Sequence, residues 1–104
     1  MQSPILSIVR TPPSDQQLVP RIRALVGTAG GMRWDHKHFQ QRMKERDLNM
    51  RQVLETIKEG APMGPPTQDE WGDWRVKLRR VVAGRLVRVV IAVKNDHFVI
   101  VTVF

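Results

Sequence analysis

Residues 74–93 read "WRVKLRRVVAGRLVRVVIAV", and residues 97–104 follow as "HFVIVTVF". In the first nine residues apolar side chains alternate with cations, the period of two that marks a strand with one covered face. Ala83-Gly84 then offers a two-residue turn. "RLVRVVIAV" is apolar at nearly every position, as a central, largely covered strand should be. Lys94-Asn95-Asp96 joins it to the third run. Such tight joints make an antiparallel meander over 74–82, 85–93 and 97–104.

Upstream of the meander, "APMGPPTQDEWGDW" is a proline- and glycine-punctuated connection with room for one short edge strand. Before it the period is 3.6. Met50, Val53, Leu54 and Ile57 form one helical stripe, Asn49 with Gln52 fits a capping box, and Gly60 with Pro62 ends the helix. A preceding helix is predicted from an Asp35 N-cap to about Arg46, with Phe39 and Met43 as its apolar stripe and "RDLN" as the connection. Leu18, Ile22, Leu25 and Val26 mark an earlier helix. Ser14 and Gln17 favour an early start for it, whereas Pro20 suits the first helical residue, and "GTAGG" terminates it. The opening ten residues suggest a short strand through Ile5, Leu6, Ile8 and Val9, broken by "TPPSD". The expected architecture is α+β: two or three N-terminal helices packed on one face of a three- to four-stranded antiparallel sheet. One domain over 1–104 is expected, with residues 1–13 as a poorly defined strand or arm.

The chain of 104 residues has no cysteine, so disulfides and thiolate metal sites are excluded. Its 17 Lys and Arg against 10 Asp and Glu give a net charge of +7, which favours a polyanionic partner, either nucleic acid or an acidic protein. No run has the length of a membrane span, and "MQSPILSIVRTPP" lacks the basic opening and long apolar segment of a secretory signal. A soluble cytoplasmic protein without membrane association is expected.

The phosphate-binding, dinucleotide-binding and zincin motifs are all absent. His36 and His38 could chelate a metal if they lay on a strand. On a helix they diverge by about 200°, and neither metal nor organic cofactor is expected. His38, Arg42 and Glu45 or Arg46 form one helical row beside Phe39 and Met43. A boundary histidine there titrates near neutral pH, and neighbouring arginines can hold phosphate. The bland alternative is a histidine bonded to backbone among solvated arginines. His36 points away and reads as bystander surface.

Arg75, Lys77 and Arg79 form a second basic row on one strand face. A two-residue turn at Ala83-Gly84 sets Arg79 opposite Arg88, the one charge inside an apolar strand. Arg88 must reach an acidic partner, an exposed sheet face or a bound anion, and a structural ion pair is the favoured outcome. Trp71 and Trp74 could stack on bases, although a role as lids on the core is the expected one. With simple turns throughout, Thr102 falls on the face opposite Arg79 and Arg88; a slip of one residue would reverse it.

The ordered combination "HFQQRMKERDLNMRQVLETIKEG", "GPPTQDEWGDWRVKLRRVVAGRLVRVVIAV" and "VIVTVF" resembles, over about residues 18–104, a bacterial family known only as a domain of unknown function. That family is generally placed with RelE-like and BrnT-like toxins in the barnase–EndoU–colicin–RelE group. The resemblance implies a compact helix-plus-antiparallel-sheet fold, metal-independent RNA cleavage, and a cognate antitoxin encoded nearby. It carries His38, Arg42 and Arg46 from the helix motif, Arg75 from the Trp-Arg strand, and Thr102 from the last strand. Phe39 stands where a small residue is usual. His38 would act as acid or base, with Arg42, Arg75, Lys77 and Arg79 stabilising the phosphorane and holding the backbone. Arg46 and Arg88 would add contacts to RNA, free or ribosome-bound. The competing expectation is a non-catalytic basic module that binds an acidic protein or nucleic acid.

Overall fold

At the joint between the two longest strands, Ala83 and Gly84 both take positive φ, at 52° and 78°. Two consecutive left-handed residues make the type I′ geometry whose twist matches that of the strands it connects. The computed structural model describes residues 12–104, and the strand expected near Ile5–Val9 lies outside them. In chain order the elements are α1 (Asp15–Val26), β1 (Met32–Arg33), α2 (Lys37–Glu45), α3 (Met50–Glu59), β2 (Ala61–Pro62), β3 (Thr67–Gln68), β4 (Trp74–Val82), β5 (Arg85–Val93) and β6 (Phe98–Val103).

The fold is α+β with the helices N-terminal to the main sheet, as the periodicity implied. The β4–β5 hairpin pairs from Trp74↔Val93 to Val82↔Arg85, and β6 continues the meander on the far side of β5. The sheet is nevertheless larger than the expected three or four antiparallel strands. Among the described residues it has six strands, ordered β1-β6-β5-β4-β2, with β3 also on β4. β2 and β3 are two-residue strands that cover the β4 edge at Arg79 and Arg75. β1 joins the opposite edge in parallel, Met32 against Phe98, which makes the sheet mixed. Two residues are too few to impose any periodicity, and the connection in which one short edge strand was expected holds two.

One face of the sheet is covered. Val76 and Leu78 of β4, Val87, Val89 and Ile91 of β5, and Phe98, Ile100 and Val103 of β6 are buried there against Ile22, Phe39, Val53 and Ile57 of the helices. The α3 cap forms as expected: Asn49 Oδ1 accepts from the Gln52 amide at 3.0 Å and Gln52 Oε1 from the Asn49 amide at 2.9 Å. Helix α1 starts at Asp15, with Pro20 inside it. The cap prevails over the proline, Gln17 Oε1 accepting from the Ser14 amide at 2.9 Å. Gly60 closes α3 where a Cβ would stand 2.3 Å from the Thr56 carbonyl oxygen and 2.8 Å from that of Arg79. Only glycine lets the helix end approach β4 so closely.

The register of β6 changes midway. Ile100 pairs with Ile91, yet the next partner of β5, Val90, faces Thr102, so Val101 is an extra residue in a β-bulge. Because side chains alternate with a period of two, the extra residue reverses the assignment of everything after it. Thr102 therefore lies on the same face as Val90, Lys77 and Arg88, not on the opposite one as unbroken pairing would require.

Candidate nucleic-acid interface

The second face of the sheet carries the cations. Arg75, Lys77 and Arg79 project from alternate positions of β4, about 7 Å apart on strand geometry. Arg88 stands directly across from Arg79. Like charges in directly opposed positions disfavour the pairing, and no helix among the described residues covers this side. Among the described residues Lys77 and Arg79 meet no carboxylate within ion-pair distance. Arg88 resolves its partial burial without a side-chain carboxylate among the described residues. Its Nε donates to the Phe104 carbonyl at 3.0 Å, and its guanidinium carbon lies 4.6 Å from the centre of the Phe104 ring. No side-chain carboxylate meets Arg88 among the described residues; a main-chain oxygen and an aromatic face take that place. The bulge adds the half-buried Thr102 to this surface, its hydroxyl donating to the Val103 carbonyl at 3.2 Å.

At the other end of the row the loop 69–73 folds around one carboxylate. Asp69 Oδ1 accepts from the Trp71 amide at 2.9 Å and the Asp73 amide at 3.0 Å, while Oδ2 takes the Arg75 Nε at 3.2 Å. Partial burial raises the Asp69 carboxyl, but the Asp73 amide, the Arg75 guanidinium and the Trp71 amide outweigh it and hold it below the usual carboxylate value. Asp73 pairs with Lys94 beside the loop. The sequence contained this signal, an aspartate opening "DEWGD" as an Asx-type turn, but Asp69 has no charge pattern that singles it out.

Between this loop and the start of α2 lies a groove of about 470 Å³, floored by Ala92, Val99 and Val101 and walled by Arg75, Trp71 and His36. Two expectations change here. Trp71 is 73% exposed and is no lid on the core, whereas Trp74 does pack against it. His36 is not a bystander. Helix α2 begins at Lys37, with His36 instead of Asp35 as its N-cap, and His36 Nδ1 accepts from the His38 amide at 3.2 Å. An accepting Nδ1 places the proton of the neutral ring on Nε2. Because His36 is outside the helix proper, the two imidazoles do not diverge as they would along a helix. Their centres are 6.4 Å apart and their planes at 78°.

The remaining helix cations stand off. Arg42 turns to Glu45 on its own helix at 3.8 Å. Arg46 caps the C-terminus of α2, and its carbonyl accepts from Arg85 at the hairpin end. Neither lines the groove. The structure therefore brings together Arg75, Lys77, Arg79, Arg88 and Thr102 on one face and sets His38 one ring beyond the groove, with Arg42 and Arg46 outside. Among the described residues no three His, Asp or Glu side chains are placed to hold a metal ion, and no helix is long and apolar enough to cross a membrane.

An open basic sheet face with an aromatic and a histidine pair at one end defines a surface suited to polyanions. The comparisons give this surface a family. Residues 36–104 match the DUF4258 model, described as a domain of unknown function, and the chain belongs to that family. The match contains every element of the groove, from His36 through the bulged strand. No curated protein and no solved structure matches the chain significantly.

Proposed function

We propose that the uncovered sheet face binds single-stranded RNA and that the chain is a toxin-like, metal-independent endoribonuclease of the RelE/BrnT kind. The observation that supports this most is the row Arg75–Lys77–Arg79 with Arg88 beside it, uncovered and ending at a groove that holds His36 and Trp71. Four cations on one face gain from a polyanion laid across them, and release of its counterions drives binding.

The cleavage needs an RNA 2′-oxygen to attack the adjacent phosphorus while the bond to the 5′-oxygen breaks, leaving a cyclic phosphate and a 5′-hydroxyl. His38, whose ring nitrogens have no partner among the described residues, takes the 2′-hydroxyl proton, and solvent water gives a proton to the leaving oxygen as its bond breaks. His36 offers an Nε2–H donor to the phosphate. Lys77 stabilises charge on the phosphorane, Arg79, Arg88 and the Thr102 hydroxyl hold the flanking backbone, and Arg75 orients the strand at the end of the row. Arg42 and Arg46 lie outside the reacting centre. The reading entails a cytoplasmic setting, free or ribosome-bound RNA as substrate, and an antitoxin with an acidic surface for this face.

The test is RNA cleavage in EDTA by the native chain and by His38→Ala, on free RNA and on translating ribosomes. The substitution is expected to cost on the order of 10²–10⁴ in rate. Equal rates, or no cleavage of either substrate, would overturn the assignment. A second reading is a non-catalytic RNA-binding module. It is favoured by Arg75 being held at Asp69 and by His38 standing outside the groove. Salt-dependent binding without turnover would select it.

A further inference from the structure

The groove at the end of the basic row has a feature that phosphate binding leaves unused. Its apolar floor of Ala92, Val99 and Val101 has nothing to offer a phosphate. It lies beside an indole that is 73% exposed, although an indole is among the larger apolar surfaces a chain can hide. Arg75 meets the same space with a fixed orientation. Asp69 is itself anchored by two backbone amides and holds Arg75 through Nε alone. Among the described residues nothing accepts from the two terminal guanidinium nitrogens. A flat apolar floor, an aromatic wall and a rigid fork of donors fit a flat ligand with two adjacent acceptors on one edge.

We propose that this groove is a guanine subsite: one unstacked base of a single-stranded RNA lies against Trp71, and Arg75 donates to its O6 and N7 while the following phosphates run along Lys77, Arg79 and Arg88. The inference rests on the RNA-binding reading and names the base that reading leaves open. Arginine has donors only. Guanine presents two neighbouring acceptors, O6 and N7, on its Hoogsteen edge; adenine sets an amino donor beside N7, uracil has no such pair, and cytosine has one only on its Watson–Crick edge, at O2 and N3. Stacking on the indole tolerates any base, so Trp71 supplies affinity and Arg75 supplies choice. The Asp69 clamp matters because a fork already oriented loses little freedom on binding.

The experiment is fluorescence anisotropy on the whole chain with labelled 2′-O-methyl pentanucleotides, which resist cleavage, of the form UUXUU. X is guanosine, inosine, 7-deazaguanosine, adenosine or uridine. Guanosine and inosine, which share O6 and N7, are expected to bind about tenfold or more tightly than adenosine and uridine. The 7-deaza base, lacking N7, should lose most of that advantage. Arg75→Lys keeps the charge and loses the fork, so it should level the five affinities while the uridine pentamer still binds. Trp71→Ala should weaken all five by about 5- to 150-fold, and Trp71→Phe should recover part of this. Equal binding of all five by the native chain would overturn the guanine subsite and leave RNA binding standing. No binding of any pentamer would overturn both. A preference for guanosine that survives Arg75→Lys would also overturn the assignment, because the selecting group would then lie elsewhere.

Discussion

The two faces of the β4–β5–β6 sheet are built from the same strands, and neighbouring residues meet opposite environments. Val76 and Leu78 are buried beneath the helices, while Lys77, between them, points into open solvent. The covered face is made of Val, Leu, Ile and Phe and closes over the helices. The open face stacks cations that repel one another. The difference teaches how the chain divides its requirements: one side supplies stability almost wholly through apolar side chains, so the other can carry like charges that disfavour the strand pairing.

The largest expected effect breaks the comparison at the bulge. Exchanging the two residues after the bulge, Thr102→Val with Val103→Thr, puts a hydroxyl into the core and a valine out of it, and should cost about 3–5 kcal/mol by urea denaturation, the sum of an unpaired buried hydroxyl and a lost buried valine. Next, Ile91→Ala on the covered face should cost about 2–5 kcal/mol. Lys77→Ala on the open face should stay within about 0.5 kcal/mol. The second substitution should instead lower the slope of log K against log salt for single-stranded RNA by about 0.7. If Lys77→Ala left the slope unchanged, the open face would not be the RNA surface.

A smaller effect concerns acid. Asp69 has its carboxyl lowered from 3.8 in the folded chain, so it contributes stability above that value and loses it as the pH falls through the lower folded value. The loop around Trp71 should therefore loosen at pH below 3.8, read as a change in tryptophan emission before global unfolding. Asp69→Asn should lack that acid limb, and an unchanged limb would show that another group controls the loop. Smallest is the hairpin that keeps both faces in step. Ala83→Asn suits a left-handed residue better and should stabilise by about 0.5 kcal/mol in thermal unfolding; destabilisation would mean that the Ala83 methyl packs usefully.

Much of the covered face was legible because it is periodic. Val76, Leu78, Val53 and Ile57 repeat with the spacing of their elements, and the Asn49–Gln52 cap and the Ala83-Gly84 turn are local chemistry. What escaped is either shorter than a period or phase-shifting. β1, β2 and β3 are two residues each, and only one edge strand was expected in the connection that holds β2 and β3. The Val101 bulge adds a residue to a run of apolar side chains in which no residue type marks the insertion. The α2 cap passed from Asp35 to His36, a shift of one residue that placed the wrong histidine at the groove. Basic residues on the open face were readable from alternation, but the partner of Arg88 was not, since a main-chain oxygen and a ring at Phe104 give no side-chain charge signal.

The parallel edge has a consequence in time. Every pairing within the meander closes through a short turn, whereas β1 reaches β6 across most of the chain, Met32 meeting Phe98. Closing a long loop costs more entropy than closing a tight turn. The hairpin can thus assemble early and the β1 edge, with the start of α2 behind it, comes last. The Phe98 amide, which donates to the Gly31 carbonyl at 2.9 Å, should exchange its hydrogen sooner than the amides of β5. His36 follows that edge directly, so the last part of the sheet to close is the part that brings the histidines to the groove.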